Sequence, residues 1–229
     1  MTTRAVLFDV DFTLARPGPE LRPEGYVGCG ERHGLTLDAT CYGEARDAAL
    51  ADLKRHPELD HDEEIWVAFT ERIVLGMGGN APAARACAED LTSRWQHHEN
   101  FELYEDTRPV LEELRAAGLK IGLVSNSARD VRAFAQHHAL EIDAGLSSFH
   151  HGKTKPHASI FRAVLALLGV EPDEAVMVGD TVEDDINGAL AIGMRAVLVD
   201  RHGFGARYEP CIDDLYALPA ALGLPRPGC

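Results

Sequence analysis

Apolar runs in this chain alternate with charged breaks, and their spacing divides it into three parts. The first run, Arg4 to Phe8, is short, rich in buried-strand residues and ends abruptly at Asp9, as expected of a strand covered on both faces. From about Pro17 to about Leu103 the pattern predicts no strand. Pro17-Gly18-Pro19 opens this segment as a linker that cannot continue a helix. Helical periodicity follows around 22–33, 39–55, 62–75 and 83–97, broken at His56-Pro57 and across Gly76 to Asn80. Trp66, Phe69 and Ile73 share one face of the third helix and read as the core of an all-helical segment.

Beyond Thr107 the rhythm changes to alternating helices and strands. Thr107 and Pro109 suit a helix start and Gly118 its end. A strand is predicted over 120–124, a helix over 130–138 and another over 158–168, stopped by Gly169. The strand 175–178, a helix near 186–192 ended by Gly193 and the strand 196–199 complete the series. Strands separated by helices pair in parallel through right-handed crossovers. The predicted fold is therefore α/β: a Rossmann-like parallel-sheet core, residues 1–16 and 104–229, with an all-helical insert at 17–103. The tail from Leu218, with Pro219, Pro225 and Pro227, reads as a loosely ordered terminus.

Composition narrows the classes. The chain has 229 residues, 45% hydrophobic and 26% charged, which excludes a mostly disordered or collagen-like protein. Its 37 acidic against 22 basic residues give a formal charge of −15, which argues against a nucleic-acid partner. Cys29, Cys41, Cys87, Cys211 and Cys229 are scattered without a C-x-x-C pair, so neither a zinc site nor a disulfide framework is predicted and a reducing compartment is. No stretch approaches the ~20 apolar residues of a membrane helix, and the first run lacks the features of a signal peptide. The expectation is a soluble, cytoplasmic protein with no membrane partner. No heptad decides between a monomer and a homodimer.

Candidate chemistry lies where the strands end, because ligands of open parallel sheets bind beyond the carboxyl ends of the strands. The first strand is followed by Asp9, Asp11 and Thr13, the second by Ser125 and Asn126, and the third by Asp180, Asp184 and Asp185. Lys155-Pro156 stands just before a helix. Each piece has an ordinary reading alone: an Asx turn, a helix start, a solvated lysine, acidic residues at a helix N-terminus. Their joint order along one sheet edge points to chemistry. Clustered carboxylates remain ionised together around a cation, and oxygen-only ligands favour Mg²⁺. Mg²⁺ beside a nucleophilic carboxylate, a hydroxyl and a lysine makes a site for a phosphoryl group.

Four motifs carry a resemblance to a known family: Val6-Leu7-Phe8-Asp9-Val10-Asp11-Phe12-Thr13-Leu14, Leu123-Val124-Ser125-Asn126, Lys155-Pro156, and the run from Val178-Gly179-Asp180 through Asp184-Asp185 to Ala189. In this order they resemble the haloacid dehalogenase superfamily, whose phosphatase members carry a helical cap between the first two motifs. The resemblance implies that Asp9 is the nucleophile and Asp11 the general acid and base. It implies Mg²⁺ on Asp9 and Asp180 and on the Asp11 carbonyl, with Asp184 and Asp185 holding its waters. Ser125, Asn126 and Lys155 would bind the phosphate and Thr13 would support the loop. The family usually has glycine where this chain has Phe12, which implies a different loop or a narrower way in.

The function so implied is Mg²⁺-dependent hydrolysis of a small phosphorylated metabolite through an aspartyl phosphate. A sugar phosphomutase and a 2-haloacid dehalogenase would use the same scaffold, although Asp11 argues against the latter. A phosphonate hydrolase needs a lysine in the insert, where only Lys54 is present. A catalytically idle module that binds phosphate or a partner is the reading from another class. Gly152-Lys153-Thr154 lacks the earlier glycine of a phosphate-binding P-loop, since position 147 is Ser147. Gly28-Cys29-Gly30 follows no strand, and the paired histidines, His150-His151 among them, read mainly as structural or surface residues.

Overall fold

The computed structural model describes residues 2–201, 203 and 208–224. It divides into two compact units, Met1–Arg16 with Leu103–Cys229, and Pro17–Glu102. The chain begins with β1 (Ala5–Phe8), every residue of which is buried, and passes through a short strand, β2 (Ala15–Pro17).

The second unit follows as four helices: α1 (Pro23–Arg32), α2 (Tyr42–Ala51), α3 (Glu63–Gly76) and α4 (Ala81–Arg94). Asp62 and Asn80 cap α3 and α4 through their side chains, to the backbone N–H groups of Glu64 and Ala83, satisfying donors that a helix start leaves open. Tyr26, Cys29, Ile73, Val74, Cys87 and Leu91 are among the buried residues of this unit's own core, with Phe69 packed against it. Trp66 stands edge-on to Phe69 at 6.0 Å.

The chain then runs through β3 (Phe101–Leu103), α5 (Thr107–Ala116), β4 (Lys120–Ser125), α6 (Val131–His137), β5 (Ala144–Ser147), α7 (Ser148–His151) and α8 (Ala158–Leu168). After β6 (Ala175–Gly179) comes one π-helical turn, Val182–Ile186, then α9 (Asn187–Leu190), β7 (Arg195–Val199), β8 (Cys211–Ile212) and α10 (Leu218–Ala221). Six strands form one parallel sheet in the order β5-β4-β1-β6-β7-β8. Its core includes Leu7, Val124, Phe161, Val164, Met177 and Leu198. The α/β parallel-sheet fold expected from the alternation is thus the observed one.

Several local expectations are corrected. The stretch 17–103 contains strand: β3 lies within it and pairs with β2, whose last residue is Pro17. Three-residue strands are too short to show a period of two. The helix expected over 39–55 opens as a 3₁₀ turn, Ala39–Cys41, is α-helical over Tyr42–Ala51 and ends short of 55, and that expected over 186–192 is the end of the π turn followed by α9. The tail does not loosen at Leu218, which is fully buried and starts α10. Pro225, Pro227 and Cys229 lie outside the described residues. Among the described residues no helix is long and apolar enough to cross a membrane.

Candidate active site

From β1 the sheet extends through β4 and β5 on one side, and through β6, β7 and β8 on the other. The order of winding reverses beside β1, and such a reversal opens a crevice at the carboxyl ends of the strands. Phe8 lies level with Leu123 of β4 and Val178 of β6. Asp9, Ser125 and Asp180, one or two residues further along the three strands, therefore leave the sheet at one edge.

Lys155 ties this edge together. Its side chain is only 3% exposed, and Nζ donates to Asp9 Oδ1 at 2.5 Å and to Asp185 Oδ1 at 2.6 Å. Asn126 fixes the lysine from behind: its Oδ1 accepts from Lys155 N at 2.6 Å and its Nδ2 donates to Lys155 O at 3.0 Å. Asp185 sits on the π turn, and its second oxygen accepts from Thr181 N at 3.1 Å. A Cβ on Gly179 would lie 2.2 Å from Asp185 Oδ2, so only glycine at the end of β6 admits this carboxylate.

The remaining predicted residues make contacts of their own. Thr13 is buried and its hydroxyl reaches Asp180 Oδ1 at 3.4 Å. Ser125 Oγ donates to Ser127 Oγ at 3.1 Å. Asp184 accepts from Asn126 Nδ2 at 3.4 Å. The Asp11 carboxylate is held by the guanidinium of Arg129, itself 1% exposed. Phe12 adopts φ 64°, a left-handed backbone that is costly for a bulky side chain, and it is 37% exposed. His150 and His151 are engaged by serines, Ser147 at 2.9 Å and Ser159 at 2.7 Å.

Burial dominates the electrostatics. It pushes the Asp9 carboxyl well above the ordinary range against the pull of Lys155, and Asp185, Asp180 and Asp11 add to the rise. Burial and then Asp185 raise Asp180 to about 7. Burial also raises Asp185, despite Lys155. For Lys155 burial acts downward, but Asp185 and Asp9 outweigh it and hold the ammonium above the ordinary lysine value. Carboxylate oxygens of Asp9, Asp180 and Asp185 lie within 4.8 Å of one another. Three carboxylates against one ammonium leave two negative charges, which one divalent cation would balance. An all-oxygen donor set of this kind fits a hard ion such as Mg²⁺.

Three residues here escaped the sequence reading. Arg129, four residues beyond Ser125, grips Asp11. Arg201 pairs with Asp106 through both guanidinium amino groups at 2.9 Å, and donates to Thr13 O at 2.7 and 3.1 Å. Arginine in a loop leaves no periodic signal, and these partners are 95 to 188 residues away in sequence.

A family model described as haloacid dehalogenase-like hydrolase matches residues 3–193. The chain is 32% identical over 204 residues to ribulose-1,5-bisphosphate 5-phosphatase of Halopiger xanaduensis, covering 86% of this chain and 84% of that protein. It is 31% identical to glyceraldehyde 3-phosphate phosphatase of Methanopyrus kandleri, covering 92% and 89%. The crystal structure of a HAD phosphatase from Thermococcus onnurineus superposes with a TM-score of 0.66 at 29% identity, covering 96% of this chain and 98% of the other.

Proposed function

The chain belongs to the haloacid dehalogenase-like hydrolases and is a phosphatase of that family; from that premise we propose that it hydrolyses a small phosphorylated metabolite in a Mg²⁺-dependent reaction through a phosphoryl group carried on Asp9. The observation that carries this reading is the buried Asp9 carboxylate, clamped at 2.5 Å by Lys155 and flanked by Asp180 and Asp185. Lys155 fixes the orientation of this carboxylate, and its burial limits the water that competes with substrate.

Asp9 and Asp180, with the Asp11 carbonyl, are the residues that would hold the metal, and Asp185, whose oxygens are engaged by Lys155 and Thr181 N, would hold its waters. When bound, Mg²⁺ would supply Lewis-acid stabilisation of the charge developing on phosphoryl oxygens. Asp9 attacks phosphorus through a carboxylate oxygen, and the bond from phosphorus to the ester oxygen breaks. Asp11 is assigned to pass a proton to the departing alkoxide. Lys155, the Ser125 hydroxyl and the Asn126 backbone N–H bind the phosphoryl oxygens. In the second half Asp11, now ionised, takes a proton from water whose oxygen attacks phosphorus. Inorganic phosphate leaves and Asp9 is regenerated. Arg129 orients Asp11 throughout, and Thr13 positions Asp180. Substrate selection is assigned to the helical unit, in the role of the family's cap.

The test is phosphate release from a panel of phosphorylated metabolites, with and without Mg²⁺, by the wild type and by Asp9→Asn. Expected are metal-dependent release by the wild type and a loss of at least about 10⁴-fold in the variant, the scale on which removal of a nucleophile acts. Undiminished release by Asp9→Asn would remove Asp9 from the chemistry, and failure across the whole panel by folded protein would overturn the substrate class.

A further inference from the structure

The helical unit contains a second cluster of ligating side chains that phosphoryl transfer does not use. Cys29 and His33 lie one turn apart at the end of α1, on the same face. Asp90 reaches them from α4. Asp90 Oδ2 is 3.3 Å from Cys29 Sγ and 3.2 Å from His33 Nε2, and the three ligand atoms lie within 4.8 Å of one another. Ligands around a tetrahedral zinc, at about 2.3 Å for sulfur and about 2.0 Å for nitrogen and oxygen, stand about 3.3 to 3.5 Å apart. We propose that Cys29, His33 and Asp90 form a site for one thiophilic divalent cation, Zn²⁺ by chemistry, separate from the carboxylate site at the sheet edge.

The surroundings are those of a prepared site. Asp90 divides its oxygens: Oδ1 accepts from Arg94 Nε at 3.0 Å, leaving Oδ2 for the ligand face. Arg94 is itself held by Glu20. An outer partner of this kind orients a ligating carboxylate. Cys29 is completely buried, whereas the His33 and Asp90 side chains are 26% and 33% exposed, so the ion reaches the thiol from the solvent side and water takes the fourth position. Arg32 Nε stands 4.0 Å from Asp90 Oδ2 and opposes a cation there, but its side chain is half exposed and free to extend into solvent. Cys29 Sγ also donates to the Cys87 carbonyl at 3.8 Å. Thiolate and imidazole select Zn²⁺ over Mg²⁺. Binding displaces one proton from Cys29 to solvent, forms the metal–sulfur bond and changes no oxidation state.

Co²⁺ tests the site in the full chain. Its thiolate charge-transfer absorption in the near ultraviolet cannot arise from the oxygen-only cluster at Asp9, Asp180 and Asp185. One equivalent of Co²⁺ is expected to produce the band, and one equivalent of Zn²⁺ to remove it. Cys29→Ala should abolish the band. His33→Gln and Asp90→Asn, both at the solvent side and so tolerable to the fold, should weaken binding by about 100-fold, and Arg94→Met by about 10-fold, as loss of an outer partner does. The proposal is overturned if no band forms, if wild-type affinity survives in both His33→Gln and Asp90→Asn, or if Cys87→Ala rather than Cys29→Ala removes the band.

Discussion

Asp11 and Arg129 form an asymmetric pair. The arginine is 1% exposed and its partner 19%, so the two members do not lose equally when the other is removed. Arg129 also stacks over the Phe134 ring at 5.3 Å. In Asp11→Asn the buried Arg129 guanidinium loses this charged contact, a change that costs about 3–5 kcal/mol where a fully buried pair is broken outright and less than about 3 kcal/mol here, because Asp11 touches solvent. In Arg129→Met an apolar chain of similar length takes the buried position and Asp11 is hydrated instead, so about 1 kcal/mol or less is expected. Urea denaturation should rank the variants in that order. Turnover should fall in both, and in Arg129→Met the fall should be in kcat with KM little changed, because Arg129 acts through Asp11 and not on bound substrate. A raised KM at unchanged kcat would make Arg129 a substrate ligand.

At the scale of elements, the site depends on one buried clasp. Arg201, after β7, holds Asp106 before α5 and the Thr13 carbonyl after β1, and Asp106 Oδ2 also accepts from Leu215 N at 2.7 Å. The Arg201 guanidinium lies 3.8 Å from the Tyr104 ring centroid. Arg201→Ala strands the Asp106 carboxylate, 2% exposed, and should cost about 3–5 kcal/mol. It should also lower turnover by loosening the loop that carries Asp11 and Thr13. Thermal melting and steady-state rates check both, and a stable variant of full activity would show that the clasp is ornamental. Such contacts mark what the sequence withheld. β1, β4, β6 and β7 were legible because each is an apolar run ending in polar residues. β5 reads Ala-Gly-Leu-Ser and β8 has two residues, too small or too short to show a hydrophobic signal. The strand-end rule brought Asp9, Ser125 and Asp180 to one edge because it needs only strand order. The place of Lys155 needed a fold in hand: alone it reads as a surface charge, and it is buried because Asn126 and Asp185 receive it. The Cys29, His33 and Asp90 cluster was illegible for a similar reason, since its ligands come from two helices more than fifty residues apart.

Across the whole molecule, every residue assigned to the chemistry belongs to the α/β unit, which two separated stretches of chain build, while Pro17–Glu102 has its own core. The segment that leaves and the segment that returns lie side by side: β2 pairs with β3, and Gly18 N donates to Asn100 O at 2.7 Å. Ends this close can be joined by a short turn without spanning a gap, which is why insertions and deletions are tolerated at such places. Replacing residues 19–99 by a short Gly-Ser turn should therefore leave a folded α/β unit with a single cooperative melt. If the helical unit selects the substrate, the shortened protein should still cleave a small aryl phosphate in the presence of Mg²⁺. Its kcat/KM for the metabolite preferred by the full chain should fall by about 100-fold or more, the loss that poorer positioning of bound substrate brings. Preference among metabolites should flatten toward that for the aryl compound. An unchanged ranking in the shortened protein would instead place specificity at the sheet edge, with Phe12 as the first side chain to substitute.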